Sequence, residues 1–156
     1  MGQSTDAQLC YGIAFDEGTE FPWTDDKYDN DIDDWWLTIQ GFKPTVEIYD
    51  EEGNWLNGVS RDDKAVDAYY NERAEFRRTM KPLPVELVEH CSCDYPMHIL
   101  AVKGTLVTAS RGHAEEIDVN MLGVWPKDEA ALLNFCDDYD IEYETGPRWW
   151  LSSLWC

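Results

Sequence analysis

The sequence predicts an α+β fold in which about three helices pack with a mixed or antiparallel sheet, and three observations lead there. Leu9-Cys10-Tyr11-Gly12-Ile13-Ala14-Phe15 alternates large and small side chains with the period of a strand lying on a core. Ile32, Trp35, Trp36 and Ile39 recur at i, i+3, i+4 and i+7, which places them on one helix face. Beyond them, strand-like and helix-like segments interleave without the regular rhythm of a βαβ chain. A chain of 156 residues suits one compact domain, 1–156, and buries roughly two-thirds of its unfolded surface. With 44% hydrophobic residues and 8 Trp, the expected core is aromatic-rich.

In chain order, Leu9, Tyr11, Ile13 and Phe15 are expected to face inward from the first strand. Asp16 to Asp34 is an acidic loop broken by Gly18 and Pro22, and Asn30 or Asp31 caps the helix that follows, which Gly41 ends. Val46–Tyr49 and Trp55-Leu56 flank a glycine-containing turn and predict a hairpin. Ser60 with Asp63 resembles a capping box opening a helix to about Met80, striped by Val66, Tyr69, Tyr70, Phe76 and Met80 and closed by Pro82. Arg73 and Arg77 fall near the centre of that stripe, which predicts pairing with the chain's own carboxylates. Val85–Val88, Met97–Val102, Leu106-Val107 and Ile117–Val119 read as strands, with turns at Asp94-Tyr95-Pro96 and Gly112. Pro126 starts a helix carrying Leu132, Phe135, Cys136 and Tyr139, and Ile141–Tyr143 and Trp149–Leu151 read as closing strands.

Charge sets the functional expectation. The 32 acidic residues against 12 basic leave a net charge of −20. A field of that sign repels phosphates, so direct binding to nucleic acid is excluded and the expected partner is a protein with a basic surface. The acids concentrate in two clusters, Asp25, Asp26, Asp29, Asp31, Asp33 and Asp34, and Asp137, Asp138, Asp140, Glu142 and Glu144. Asp33 and Asp34 suit the first turn of a helix, whereas Asp137 and Asp138 end one, where the macrodipole disfavours each by roughly 0.3–1 kcal/mol. Aromatic residues thread both clusters, among them Trp23, Tyr28, Trp35, Trp36, Tyr139 and Tyr143. A surface of this kind can offer carboxylates where a nucleic acid offers phosphates and so occupy a Lys/Arg-lined groove. The candidate partner-binding residues are these two clusters with Trp23; the plainer alternative is a solubilising surface.

Other chemistry is not indicated. Asp29 to Asp34 begins like a calcium loop, but Asp34 stands where glycine and Gln40 where glutamate is needed. His90-Cys91-Ser92-Cys93 has a spacing too tight for a zinc site and no second ligand pair, so no metal and no cofactor is expected. No motif of a hydrolase, phosphate-binding loop or metalloprotease is present, and the chain is read as a binding protein and not an enzyme. No secretory leader, lipidation signal or membrane span is read, so the five cysteines are expected as free or buried thiols in a reducing cytoplasm.

The opening Met1-Gly2-Gln3-Ser4-Thr5-Asp6-Ala7 leads to Tyr11-Gly12 and an acidic, Trp-containing stretch. Together with Ile48–Trp55, Leu83–Val88 and Tyr95–Val102, it resembles a group of small acidic bacteriophage-encoded proteins. The resemblance brings no catalytic residues. It implies a phage or prophage origin and action in the host cytoplasm, in company that includes anti-CRISPR and anti-restriction inhibitors. The expectation is thus a phage-type inhibitor that blocks a nucleic-acid-binding surface of a host defence complex, CRISPR-associated first, by mimicry. The alternatives are a phage assembly or interaction module and a small metal-dependent hydrolase.

Overall fold

The computed structural model describes residues 5–24, 31–49, 56, 60, 64–123 and 126–155. Its class is α+β, with three helices and a five-stranded mixed sheet. Two compact units make it up: Met1–Glu20 with Pro84–Cys156, and Phe21–Leu83, which is inserted between the first two strands.

The first unit holds the sheet. Strand β1 (Thr5–Phe15) runs antiparallel to β5 (Arg148–Trp155) along one edge, from Thr5↔Trp155 to Gly12↔Arg148. Its other edge pairs first with β4 (Val107–Ala109) and then with β3 (Pro96–Val102). Strand β2 (Val85–Ser92) is antiparallel to β3, and its end meets β5 in parallel through Cys91↔Leu154 and Ser92↔Trp155. The pairings β1–β3–β2–β5–β1 therefore return to their starting strand. A return of this kind requires a curled sheet, with β4 left at an edge. Gly12 permits the tightest approach: a Cβ there would lie 2.2 Å from the Leu100 carbonyl oxygen and 2.7 Å from Ala101 Cα.

Strand β1 is covered on both faces, which corrects the expectation that one face alone meets a core. Cys10 and Ile13 point to opposite sides and both are fully buried. Cys10 packs with Val88, Ile99 and Ala101, joined by Ala14, Leu106 and Trp150. On the other face the half-buried Tyr11 donates to Glu129 Oε2 at 2.6 Å, fastening the sheet to α3 (Pro126–Asp138), which buries Leu132, Phe135 and Cys136 and packs on β3 and β2.

The second unit is built on α1 (Ile32–Ile39) and α2 (Lys64–Thr79). Asp31 caps α1, its Oδ1 accepting from the backbone N–H groups of Asp33 and Asp34 at 2.7 and 3.3 Å. Gly41, at φ +90°, ends it with two bonds, Phe42 N–H to Leu37 O and Gly41 N–H to Thr38 O, each 3.0 Å. Leu37 rather than Ile39 completes the buried set with Ile32, Trp35 and Trp36, and Ile39 is exposed. Phe21, Trp23, Trp35 and Trp36 form a chain of ring contacts, and Trp36 Nε1–H donates to Lys81 O at 2.9 Å. On α2, Val66 is buried and Tyr69 and Phe76 meet Phe42, while Tyr70, expected in the stripe, is exposed.

Two expected strands are absent. Residues 113–118 are exposed and unpaired in the sheet, and Val119–Leu122 is a 3-10 turn capped by Asp118, so a strand at Ile117–Val119 has no partner. Ile141–Tyr143 is a loop leaving α3. Of the predicted hairpin, Leu56 N–H bonds Ile48 O at 2.9 Å, and Trp55 with its turn lies outside the described residues, as does Asp63 of the capping box. No helix among the described residues is long and apolar enough to cross a membrane.

Candidate functional site

The described members of the N-terminal acidic cluster, Asp31, Asp33 and Asp34, are occupied by local structure. Asp31 is a helix cap, Asp34 forms an ion pair with Arg73, and Arg77 Nη2 lies 3.8 Å from Asp33 and 3.9 Å from Asp34. Burial pushes the Asp34 carboxyl above its usual range despite the opposing pull of Arg73, so desolvation outweighs the ion pair there. Asp25, Asp26, Asp29 and Tyr28 lie outside the described residues. Trp23, expected as a contact residue, is 1% exposed beneath Phe21 and Trp35 and has no surface to offer a partner. A large aromatic side chain contributes more inside a core than at its rim, and the sequence places four of them within reach of one another.

The C-terminal cluster is arranged differently. Asp137 and Asp138 are exposed in the last turn of α3, with no basic residue in that turn. Asp140 then adopts φ +54°, and Ile141 N–H returns to Cys136 O at 2.9 Å. This is the turn that Gly41 makes after α1, here made by an aspartate. Left-handed backbone suits glycine, so a side chain at this position costs stability. Asp140, Glu142 and Glu144 make no ion pair or side-chain hydrogen bond among the described residues.

These three carboxylates stand with Asp16 and Glu20, from the loop after β1, around an open groove of about 1040 Å³ in the first unit. The Cys10 face of the sheet contributes Ala14, Ile99, His90, Trp150 and Ser152, which share that side by strand alternation, and the opposite face of β5 contributes Leu151, Ser153 and Trp155. Tyr143 and Trp155, 37% and 39% exposed, supply aromatic surface. Among the described residues, no lysine or arginine lines the groove. Arg148, outside the lining, places its guanidinium carbon 5.7 Å from the Trp150 ring centre.

The groove wall also carries backbone strain. Among the described residues, the two non-glycine positions with positive φ are Cys91 (+77°) and Asp140, and both line it. Strained backbone of this kind clusters at functional sites. His90 Nε2 is buried without a hydrogen-bond partner among the described residues, and burial, then His98, holds the imidazole below its usual pKa. It is a neutral ring at pH 7.

The cysteines correct one expectation. Cys10, Cys91 and Cys136 are free, but Cys93 is disulfide-bonded. Its N–H donates to Trp155 O at 3.2 Å, so closure of the sheet brings the end of β2 to the end of β5, a long-range contact that Cys-x-Cys spacing does not announce. A disulfide runs against the expected reducing compartment, where thiols are kept reduced. Burial pushes the Cys10 and Cys136 thiols up to about 11, so neither is a nucleophile at neutral pH. No group of three or more His, Cys, Asp or Glu side chains among the described residues could hold a metal ion.

Sequence reasoning missed Asp16, Glu20, Trp150, Ser152 and Trp155 as groove residues. Asp16 and Glu20 were legible as charge, and Trp150, Ser152 and Leu154 share the alternate positions of one strand, but only the pairing of β5 with β1 reveals which loops that strand meets. Comparison of the chain with family models, curated proteins and solved structures finds no match.

Proposed function

We propose that this protein is a phage-type inhibitor that binds a basic, nucleic-acid-binding surface of a host defence complex, CRISPR-associated first, and displaces the nucleic acid. The observation that carries the reading is the uncompensated acidity of the first unit. Residues 1–20 and 84–156 hold 17 acidic side chains against 4 basic, a net −13, while residues 21–83 hold 15 against 8, a net −7. Self-repulsion in the first unit costs stability, and three of its acids, Asp137, Asp138 and Asp140, stand where a helix end disfavours them. A stability-driven sequence would place lysine or glycine there. Their retention is accounted for by a partner whose lysines and arginines provide the missing counter-charge.

The test uses purified CRISPR effector complexes, a restriction nuclease and a repressor, each loaded with labelled duplex target DNA. Addition of this protein is expected to release the DNA from at least one CRISPR effector, with an apparent affinity that falls steeply as salt rises, and Glu142→Lys with Glu144→Lys is expected to abolish release. Binding is measured with and without reductant, because the Cys93 bond faces a reducing pool in the host cytoplasm. DNA that remains bound across the panel, or release that ignores salt, refutes the reading and leaves the assembly module as its successor.

A further inference from the structure

The groove has a chemistry narrower than acidity. Its rim offers carboxylates from two separate loops, Asp16 and Glu20 on one and Asp140, Glu142 and Glu144 on the other, and its walls offer aromatic faces at Tyr143, Trp150 and Trp155. Carboxylates beside aromatic rings suit a planar cation that can donate forked hydrogen bonds from its edge and stack on its face, which describes guanidinium better than ammonium. The chain already shows the stacking half of this pairing, with Arg148 over Trp150. At about 1040 Å³ the groove lies at the upper end of the roughly 300–1,000 Å³ usual for ligand pockets, and it is open to solvent, so a segment of chain can enter it.

We infer that this groove receives an arginine-bearing loop or tail of the partner protein, with a guanidinium held by the Asp140–Glu144 carboxylates beside the aromatic side chains that line the groove. The inference rests on the proposed function and specifies its contact point. Charge complementarity supports this occupant: five carboxylates surround the groove and, among the described residues, no lysine or arginine lines it. The left-handed Asp140 then has a role, because it aims the Asp140–Glu144 loop over the floor instead of letting α3 run on.

The experiment uses the full chain and a fluorescein-labelled hexapeptide carrying three arginines, with matched lysine and citrulline peptides, in about 0.15 M salt. Anisotropy is expected to show arginine bound more tightly than lysine, and citrulline not bound. Glu142→Gln with Glu144→Gln should weaken the arginine peptide about tenfold or more, while Glu115→Gln with Glu116→Gln, the same charge change at exposed sites away from the groove, should change it less than about twofold. In an ¹⁵N–¹H spectrum the Trp150 indole N–H, which donates to Gly12 O at 2.9 Å, should shift on titration while the Trp36 indole does not. Equal losses from the two glutamine pairs, equal binding of lysine and arginine, or an unmoved Trp150 signal overturns the groove as the site. Effector displacement that fails while the peptide results hold refutes the anti-defence reading alone.

Discussion

Two acidic segments of similar composition, Asp31–Asp34 and Asp137–Glu144, do opposite things for the helices they adjoin. The first sits at a helix N-terminus, where one aspartate caps, two complement the dipole and the arginines of α2 supply counter-charge. The second sits at a helix C-terminus with no basic residue in the last turn, and one member occupies left-handed backbone. The first cluster is explained by the stability of its own unit. The second is not, and it is the one that borders a groove. Composition therefore identifies where charge lies, and only the helix end it falls on separates structural acid from acid available to a partner.

The largest effect expected on the groove side comes from its floor. Gly12→Ala forces a methyl group against the Leu100 carbonyl and Ala101 backbone, neither of which is a flexible side-chain end. A loss of about 3 kcal/mol in chemical denaturation is expected, with peptide binding weakened as β1 and β3 part. Wild-type stability in this variant would show that the sheet is slack at that point and that the groove floor is not the rigid platform the comparison assumes.

Next in size is the ion pair of the other cluster. Arg73→Ala leaves the half-buried Asp34 without its main partner and should cost about 1–2 kcal/mol, a figure reduced because the Asp34 side chain is 37% exposed. Glu142→Gln with Glu144→Gln should move stability by no more than about 0.5 kcal/mol while affecting binding. If the two costs came out equal, the division into structural and available acid would collapse.

The class of fold and most elements were legible because they depend on local periodicity: the alternation of β1, the α1 cap at Asp31, the stop at Gly41 and the Arg73 and Arg77 pairing all follow from residues close in sequence or on one helix face. The groove was not legible, because it depends on which strands pair. Ile141–Tyr143 alternates like a strand yet pairs with none among the described residues, and it becomes the rim instead. Trp23, read as an anchor where exposed and otherwise as core, is core: an acidic neighbourhood in sequence says nothing about the aromatic stack that buries the ring.

Acid should separate the groove side further. His90 is half-buried, with its Nε2 out of solvent and His98 from β3 nearby, and its pKa lies below the ordinary 6.5. The unfolded chain therefore takes up the proton first as pH falls. The contribution of His90 is fully present above 6.5 and is lost as the pH drops through its lowered folded value. Because protonation of carboxylates relieves repulsion and acts in the opposite sense, the measurement is a difference: wild type should lose more stability than His90→Gln between pH 7.5 and 5.5. Parallel curves would show that His90 gains a proton without penalty, and that its buried Nε2 finds a partner in solution.

The smallest expected change is also the most pointed. Asp140→Gly gives α3 the residue that α1 already has at Gly41, keeps the Ile141 N–H to Cys136 O bond, and removes both a strained side chain and a negative charge from the helix C-terminus. Relief of these terms should stabilise the protein by about 0.5–1 kcal/mol. The same change deletes a groove carboxylate and loosens the loop that carries Glu142 and Glu144, so the arginine peptide should bind less tightly to the more stable protein. Stability and binding moving in opposite directions is what an acid kept for a partner requires. A variant that is more stable and binds as well as wild type would place Asp140 with Asp31, as an accident of helix architecture, and leave the groove to its other carboxylates.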